Sequence, residues 1–149
     1  RNGNVSAICG VGDKYRVSSS VGIKYKHKFK YNFMSEKPYD LEERLVMFAS
    51  EIALFCRKIP NDFTGQYYGH QLLRSAGSSA LNFGEMQGAQ TDKDFKNKAT
   101  ISLKELKETR INLKILYRIE YGDGAKRILL LDEVEQLIKI IATIIKNKG

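Results

Sequence analysis

Five basic residues, Lys104, Lys107, Arg110, Lys114 and Arg118, recur at steps of three, three, four and four. On an α-helix such steps keep side chains on one side, giving a row of cations about 21 Å long at about 1.5 Å per residue. That row suits a polyanion, because each ammonium or guanidinium can meet a phosphate and release a counterion. Glu105 and Glu108 lie among these residues. The alternative is therefore a solvated face whose charges pair within the helix. A second polar row comprises Gln71, Arg74, Ser78, Asn82 and Glu85, with Ser75 beside it. Facing another helix, these groups would need partners and would thereby specify register and assembly. Facing water, they would be an ordinary surface.

The sequence carries no recognisable arrangement that makes or breaks bonds. A di-metal bundle needs carboxylates on several helices together with Glu-x-x-His pairs. Glu51, Glu85, Glu105 and Glu108 have no histidine three residues on. Neither GxxxxGK[ST] nor GxGxxG is present, and Gly10-Val-Gly12 is too short to stand for either. With only His27 and His70, no Ser-His-Asp order is credible. Small helical ribonucleases that place an Arg just before a His are a poor fit, since the nearest Arg precedes His70 by 13 residues. Cys56 sits beside an apolar seam and reads as a small buried hydrophobe rather than a nucleophile. The expectation is a protein that is not an enzyme, with no catalytic residue, metal site or cofactor.

The elements that must carry the two polar rows are helical. Leu41, Leu45, Phe48, Ile52, Phe55 and Ile59 follow steps of four and three, with Asp40 as cap or first-turn acid and Pro60-Asn61-Asp62 as the break. Thr64-Gly65 opens a second helix running to about Gly88, whose seam is Leu72, Ala76, Ser79, Phe83 and Met86. Small residues on that helix lower its intrinsic helicity but permit a neighbour to approach closely. Thr91 with Asp94 resembles a capping box for a third helix from about Asp92 to Tyr121. Its seam is Phe95, Ala99, Ser102, Leu106 and Leu113. Tyr121-Gly-Asp-Gly124 stops it. Leu129 to Leu131 lead to Asp132, a candidate cap for a fourth helix with Val134, Leu137, Ile138, Ile141, Ile144 and Ile145 on its apolar face. Four amphipathic helices on short links predict an all-α, up-down-up-down antiparallel four-helix bundle over residues 34–149.

Residues 1–33 have a different texture: Gly, Ser and Val first, then Ile23-Lys-Tyr-Lys-His-Lys-Phe-Lys-Tyr-Asn-Phe33 alternating lysines with apolar or aromatic residues. Seven Lys or Arg and one Asp give this extension +6, whereas 18 basic and 16 acidic residues give residues 34–149 only +2. The +8 of the chain is thus mainly a property of the extension. An irregular, basic N-terminal extension is expected, read three ways: an RNA-binding arm, a lysine-protected edge strand, or upstream sequence translated ahead of Met34. No apolar run approaches the roughly 20 residues of a membrane helix. No export signal is recognisable and Cys9 and Cys56 form no redox pair, so a cytoplasmic setting away from membranes is expected.

The segment Arg74-Ser-Ala-Gly-Ser-Ser-Ala-Leu-Asn-Phe-Gly-Glu85 resembles the four-helix-bundle proteins encoded by intervening sequences within bacterial 23S rRNA genes. That family has an Arg, a small pair, a Ser, an Asn and a Glu in this order on its second helix, similar to Arg74, Ser75-Ala76, Ser78, Asn82 and Glu85. Its later Phe and Ser-Leu-x-Glu-Leu look like Phe95 and Ser102-Leu-Lys-Glu-Leu106. The likeness covers roughly residues 39–146. Ser79-Ala80 replaces a frequent Ile-Pro, weakening the expectation of a proline bend, and Met86 replaces a usual Gly. The resemblance implies a non-enzymatic homo-oligomer. Related bundles form pentameric barrels that serve diversity-generating reverse transcriptases as accessory subunits. RNA or other nucleic acid, and a reverse transcriptase, are therefore the partners it implies.

Overall fold

The computed structural model describes residues 40–148, so the expectations placed on residues 1–33 lie outside the described residues. Four helices follow one another: α1, Leu41–Cys56; α2, Phe63–Gln87; α3, Asp92–Arg118; and α4, Gly124–Asn147. Each begins at a side chain that accepts a hydrogen bond from an otherwise unpaired amide of the first turn. Asp40 takes the Glu43 amide at 3.0 Å, Asp62 takes Gly65 at 2.7 Å, Thr91 takes Asp94 at 3.1 Å and Asp123 takes Lys126 at 2.7 Å.

Contacts link α1 with α2, α2 with α3, α3 with α4 and α4 back to α1, which is the closed order of an up-down-up-down bundle. Side-chain pairs show that neighbours run antiparallel. Arg44 meets Glu133 while Glu51 meets Lys126, and Arg74 meets Glu108 while Glu85 meets Lys98. The core is the set of seams read from the sequence. Leu45, Phe48 and Ile52 of α1, Leu72 and Ala76 of α2, Ala99, Leu106 and Leu113 of α3, and Val134, Leu137 and Ile141 of α4 are all fully buried. Among the described residues, no helix is long and apolar enough to cross a membrane.

Boundaries differ from the sequence reading in three places. The second helix starts at Phe63 under an Asp62 cap rather than at Thr64-Gly65. A methyl on Gly65 would stand 1.9 Å from the Pro60 carbonyl oxygen, so this glycine serves the close passage of the α1–α2 link. The third helix stops at Arg118, before Tyr121. Glu120 takes a left-handed φ of 58°, its amide donates to the Tyr117 carbonyl at 3.3 Å, and the Tyr121 amide donates to Leu116 at 3.0 Å. That double closure is a Schellman motif with glutamate where glycine is usual. The fourth helix begins nine residues before Asp132 would have capped it: Asp123 is the cap, and Asp132 lies inside the helix accepting from Gln136 at 3.0 Å. Asp132 misled because caps and mid-helix acids share a residue type, and only packing separates them.

Candidate nucleic-acid interface

Small and polar residues bring α2 and α3 together. Ser75, Ala76 and Ser79 of α2 and Ala99, Ser102 and Thr109 of α3 are fully buried. Each buried hydroxyl has a partner, as burial demands. Ser75 and Thr109 share a hydrogen bond of 2.8 Å, Ser102 donates to the Ser79 carbonyl at 2.8 Å, Ser79 donates to Ala76 at 2.7 Å, and Thr109 donates to Glu105 at 2.9 Å. Two of these bonds, Ser75 with Thr109 and Ser102 to the backbone of Ser79, cross between the helices without a long side chain, so the backbones pass close.

The polar row of α2 borders this seam. Arg74 forms ion pairs with Glu105, at 3.4 Å, and with Glu108. The Glu108 carboxylate holds the Arg74 guanidinium more firmly protonated than usual. Gln71 accepts from Arg74 Nε at 3.4 Å. Asn82 donates back to the Ser78 carbonyl at 2.9 Å and to the Ser78 hydroxyl at 3.2 Å. Glu85 pairs with Lys98, whose ammonium is likewise stabilised by that carboxylate. Arg74 and Glu85 are the only formally charged residues of α2, and both are turned toward α3.

This arrangement decides what becomes of the basic row on α3. The glutamates interspersed among its lysines form no ion pair with them: Glu105 and Glu108 both meet Arg74 across the seam, whose single charge offsets one of the two. Lys104, Lys107 and Arg118 are exposed and have no carboxylate at ion-pairing distance among the described residues. Arg110 and Lys114 differ: both reach Glu135 of α4, at 3.3 Å and 3.8 Å. Arg110 also has its Nε buried without a hydrogen-bond partner, so it is held against α4 rather than presented outward. The structure thus places three of the five cations on open surface and keeps two at the α3–α4 edge.

Other groups with chemical potential are structural. Cys56 is half-buried, its Sγ lies 3.6 Å from the Gly69 carbonyl, and burial pushes its thiol up to about 11, so it is protonated at neutral pH. Among the described residues, no cluster of histidine, cysteine and carboxylate side chains could hold a metal ion. Two polar arrangements escaped the sequence reading. The Arg44 guanidinium donates to Glu133 at 2.5 and 3.0 Å and to Gln136 at 2.7 Å, joining α1 to α4 in a nearly water-free position. The Tyr121 hydroxyl donates to Asp62 at 2.6 Å, tying the end of α3 to the start of α2. Both join residues more than 50 positions apart, for which helical spacing carries no signal.

A family model described as 23S rRNA-intervening sequence protein matches residues 39–143. The chain belongs to that family. A crystal structure of a protein of unknown function from the S23 ribosomal protein family of Bacteroides thetaiotaomicron is 30% identical, with a TM-score of 0.67. The match covers 72% of this chain and 99% of that one. No curated protein matches the chain. The residues that carry the likeness to the intervening-sequence family meet one another in this bundle. Arg74 and Ser79 of α2 contact Glu105 and Ser102 of α3, so the family's two motifs are the two sides of one intrachain seam. Helix α2 runs unbroken through Ser79-Ala80, in line with the missing proline.

Proposed function

We propose that the protein is a non-enzymatic, self-associating bundle that binds RNA or another nucleic acid through the outer face of α3. The observation that carries this reading is the diversion of Glu105 and Glu108 to Arg74, which leaves Lys104, Lys107 and Arg118 unneutralised. Lys114 lies on the same face, only 3.8 Å from Glu135, within reach of a competing phosphate. The rRNA-linked family and the row of cations agree in chemical sense, since phosphate contacts supply affinity without requiring a reactive group. Between residues 34 and 149 the net charge is only +2. Self-association offsets that weakness, because copies held together present several basic faces to one polyanion.

The experiment is titration of the full chain with a structured rRNA fragment across a salt series. Three freely presented cations predict a slope of log affinity against log salt of about −2 to −3 per face. Absent or salt-independent binding defeats the proposal. A second reading, an accessory scaffold for a protein such as a reverse transcriptase, is favoured by the uncharged outer side of α2. It predicts protein association that persists when Lys104, Lys107 and Arg118 are replaced by Gln.

A further inference from the structure

The basic row of α3 extends beyond Lys104 toward the start of the helix. Lys93, Lys96, Thr100, Lys104 and Lys107 follow steps of three, four, four and three, so Lys93 and Lys96 share the face. Lys93 is exposed and Lys96 half-buried. Neither has an ion pair among the described residues: Asp92 meets Lys148 at 3.5 Å, and Glu85 meets Lys98. Lys93 also stands at the second position of α3, beside the positive end of the helix dipole, where a cation is disfavoured. Nothing among the described residues offsets that local penalty.

The cations are not evenly spread. At about 1.5 Å per residue, Lys93 with Lys96, Lys104 with Lys107, and Lys114 with Arg118 form three pairs. Their midpoints lie about 16 Å apart, and the outer two about 32 Å apart. Uncharged side chains occupy the intervals. Thr100 turns its hydroxyl to the Lys96 carbonyl at 2.7 Å, and Ile111 is 50% exposed. A single strand offers a phosphate every few ångströms, and proteins that hold one stack its bases on aromatic rings. This row is neither an even rail nor furnished with an aromatic side chain. A double helix lying along it matches the spacing. Its two strands pass any one side alternately, and each returns after one turn, about 34 Å in B-form and somewhat less in A-form RNA.

We infer that α3 recognises double-helical RNA by shape, with its outer cation pairs on successive turns of one strand and its middle pair on the complementary strand. The inference rests on the nucleic-acid reading above and names the form of nucleic acid bound. Thr100 and Ile111 then lie over the grooves, where no phosphate stands, and no base edge is read. Charge selects the occupant. Residues 1–33 carry +6 and offer this face no complementary charge, whereas a duplex presents one negative charge per about 1.7 Å of axis. Lys93 and Lys96 bring the cations without an ion pair from three to five, which takes the expected salt slope on a duplex to about −4.

The test is titration of the full chain across a salt series with an RNA duplex of about 20 base pairs, roughly two turns, and with one of its strands, chosen not to self-pair. The proteins are the natural sequence and Lys93→Gln combined with Lys96→Gln. The natural chain should bind the duplex with a slope of about −4, and about tenfold or more tighter than the strand. The double variant should lose nearly two from the slope and about 25- to 60-fold in duplex affinity at 0.1 M salt. Removing a cation from the first turn of α3 favours the helix, so unchanged circular dichroism separates lost binding from lost folding. Equal affinity for duplex and strand, or a double variant with the natural affinity, overturns the inference while leaving binding through α3 standing. A natural chain that binds neither RNA overturns both.

Discussion

Replacing Glu135 by Gln removes the one carboxylate that reaches the basic row from α4. It lies 3.3 Å from Arg110 and 3.8 Å from Lys114. Its loss leaves the guanidinium in place beside α4 but frees Lys114, which is already exposed, to contact phosphate. Each phosphate neutralised contributes about 0.7 to 0.9 to the salt slope, which amounts to about five- to eightfold in affinity at 0.1 M salt relative to 1 M. Glu135→Gln should therefore tighten RNA binding by about that factor and steepen the slope by nearly one. Lys107→Gln should do the reverse by the same amount. Fluorescence anisotropy on a labelled rRNA fragment at several salt concentrations reads both. The fold should tolerate the change, because partly exposed pairs contribute less than about 1 kcal/mol. Unchanged affinity in both variants, or weaker binding by Glu135→Gln, would refute the assignment of the α3 face.

Two further outcomes follow from groups that set the bundle's geometry. Glu133→Ala removes the carboxylate from an ion pair whose side chains are only 8% and 11% exposed, leaving the Arg44 charge without its counterion, and should cost about 3 to 5 kcal/mol. In urea, with a slope of about 2 kcal/mol/M, the midpoint should fall by about 1.5 to 2.5 M, while Arg44→Met with Glu133→Leu should restore most of the loss. The Tyr121 hydroxyl, and next the Gly65 amide, hold the Asp62 carboxyl below its ordinary value of 3.8. A depressed carboxyl adds stability that is present above its unfolded value and lost as pH falls through the folded one. Thermal melts should thus show an acid-side loss below about pH 4 that Asp62→Asn reduces; an identical acid limb in that variant would disprove the linkage.

Much of this architecture was legible because helix formation is local. Steps of three and four around Leu45, Phe48 and Ile52, or Leu72, Ala76 and Phe83, report a buried face without knowledge of what covers it. Caps at Asp40 and Thr91 were readable for the same reason, since the accepting oxygen and the donating amide are three residues apart. The start of α4 was misread where local signals tied: Asp123 and Asp132 are both plausible caps, and Gly122-Asp-Gly124 disguised a helix already begun. The family likeness was carried by Arg74, Asn82, Glu85 and the Ser102–Leu106 run, yet their spacing did not reveal that two of these segments face each other.

The state of the basic row depended on pairings that spacing cannot express. The sequence by itself determined that a row of five cations would lie along one helix, and equally that two glutamates stood among them. Only the tertiary structure decided between a neutralised face and a presented one. Arg74 lies 31 and 34 positions from Glu105 and Glu108, and draws both away from the lysines. The physical reason is range: periodicity follows from a backbone repeat of 3.6 residues, whereas an ion pair follows from proximity that packing alone creates. Gly77 makes the same point, for only the fold shows that none of the described residues beyond its own helical neighbours lies within 4 Å of where a side chain would stand.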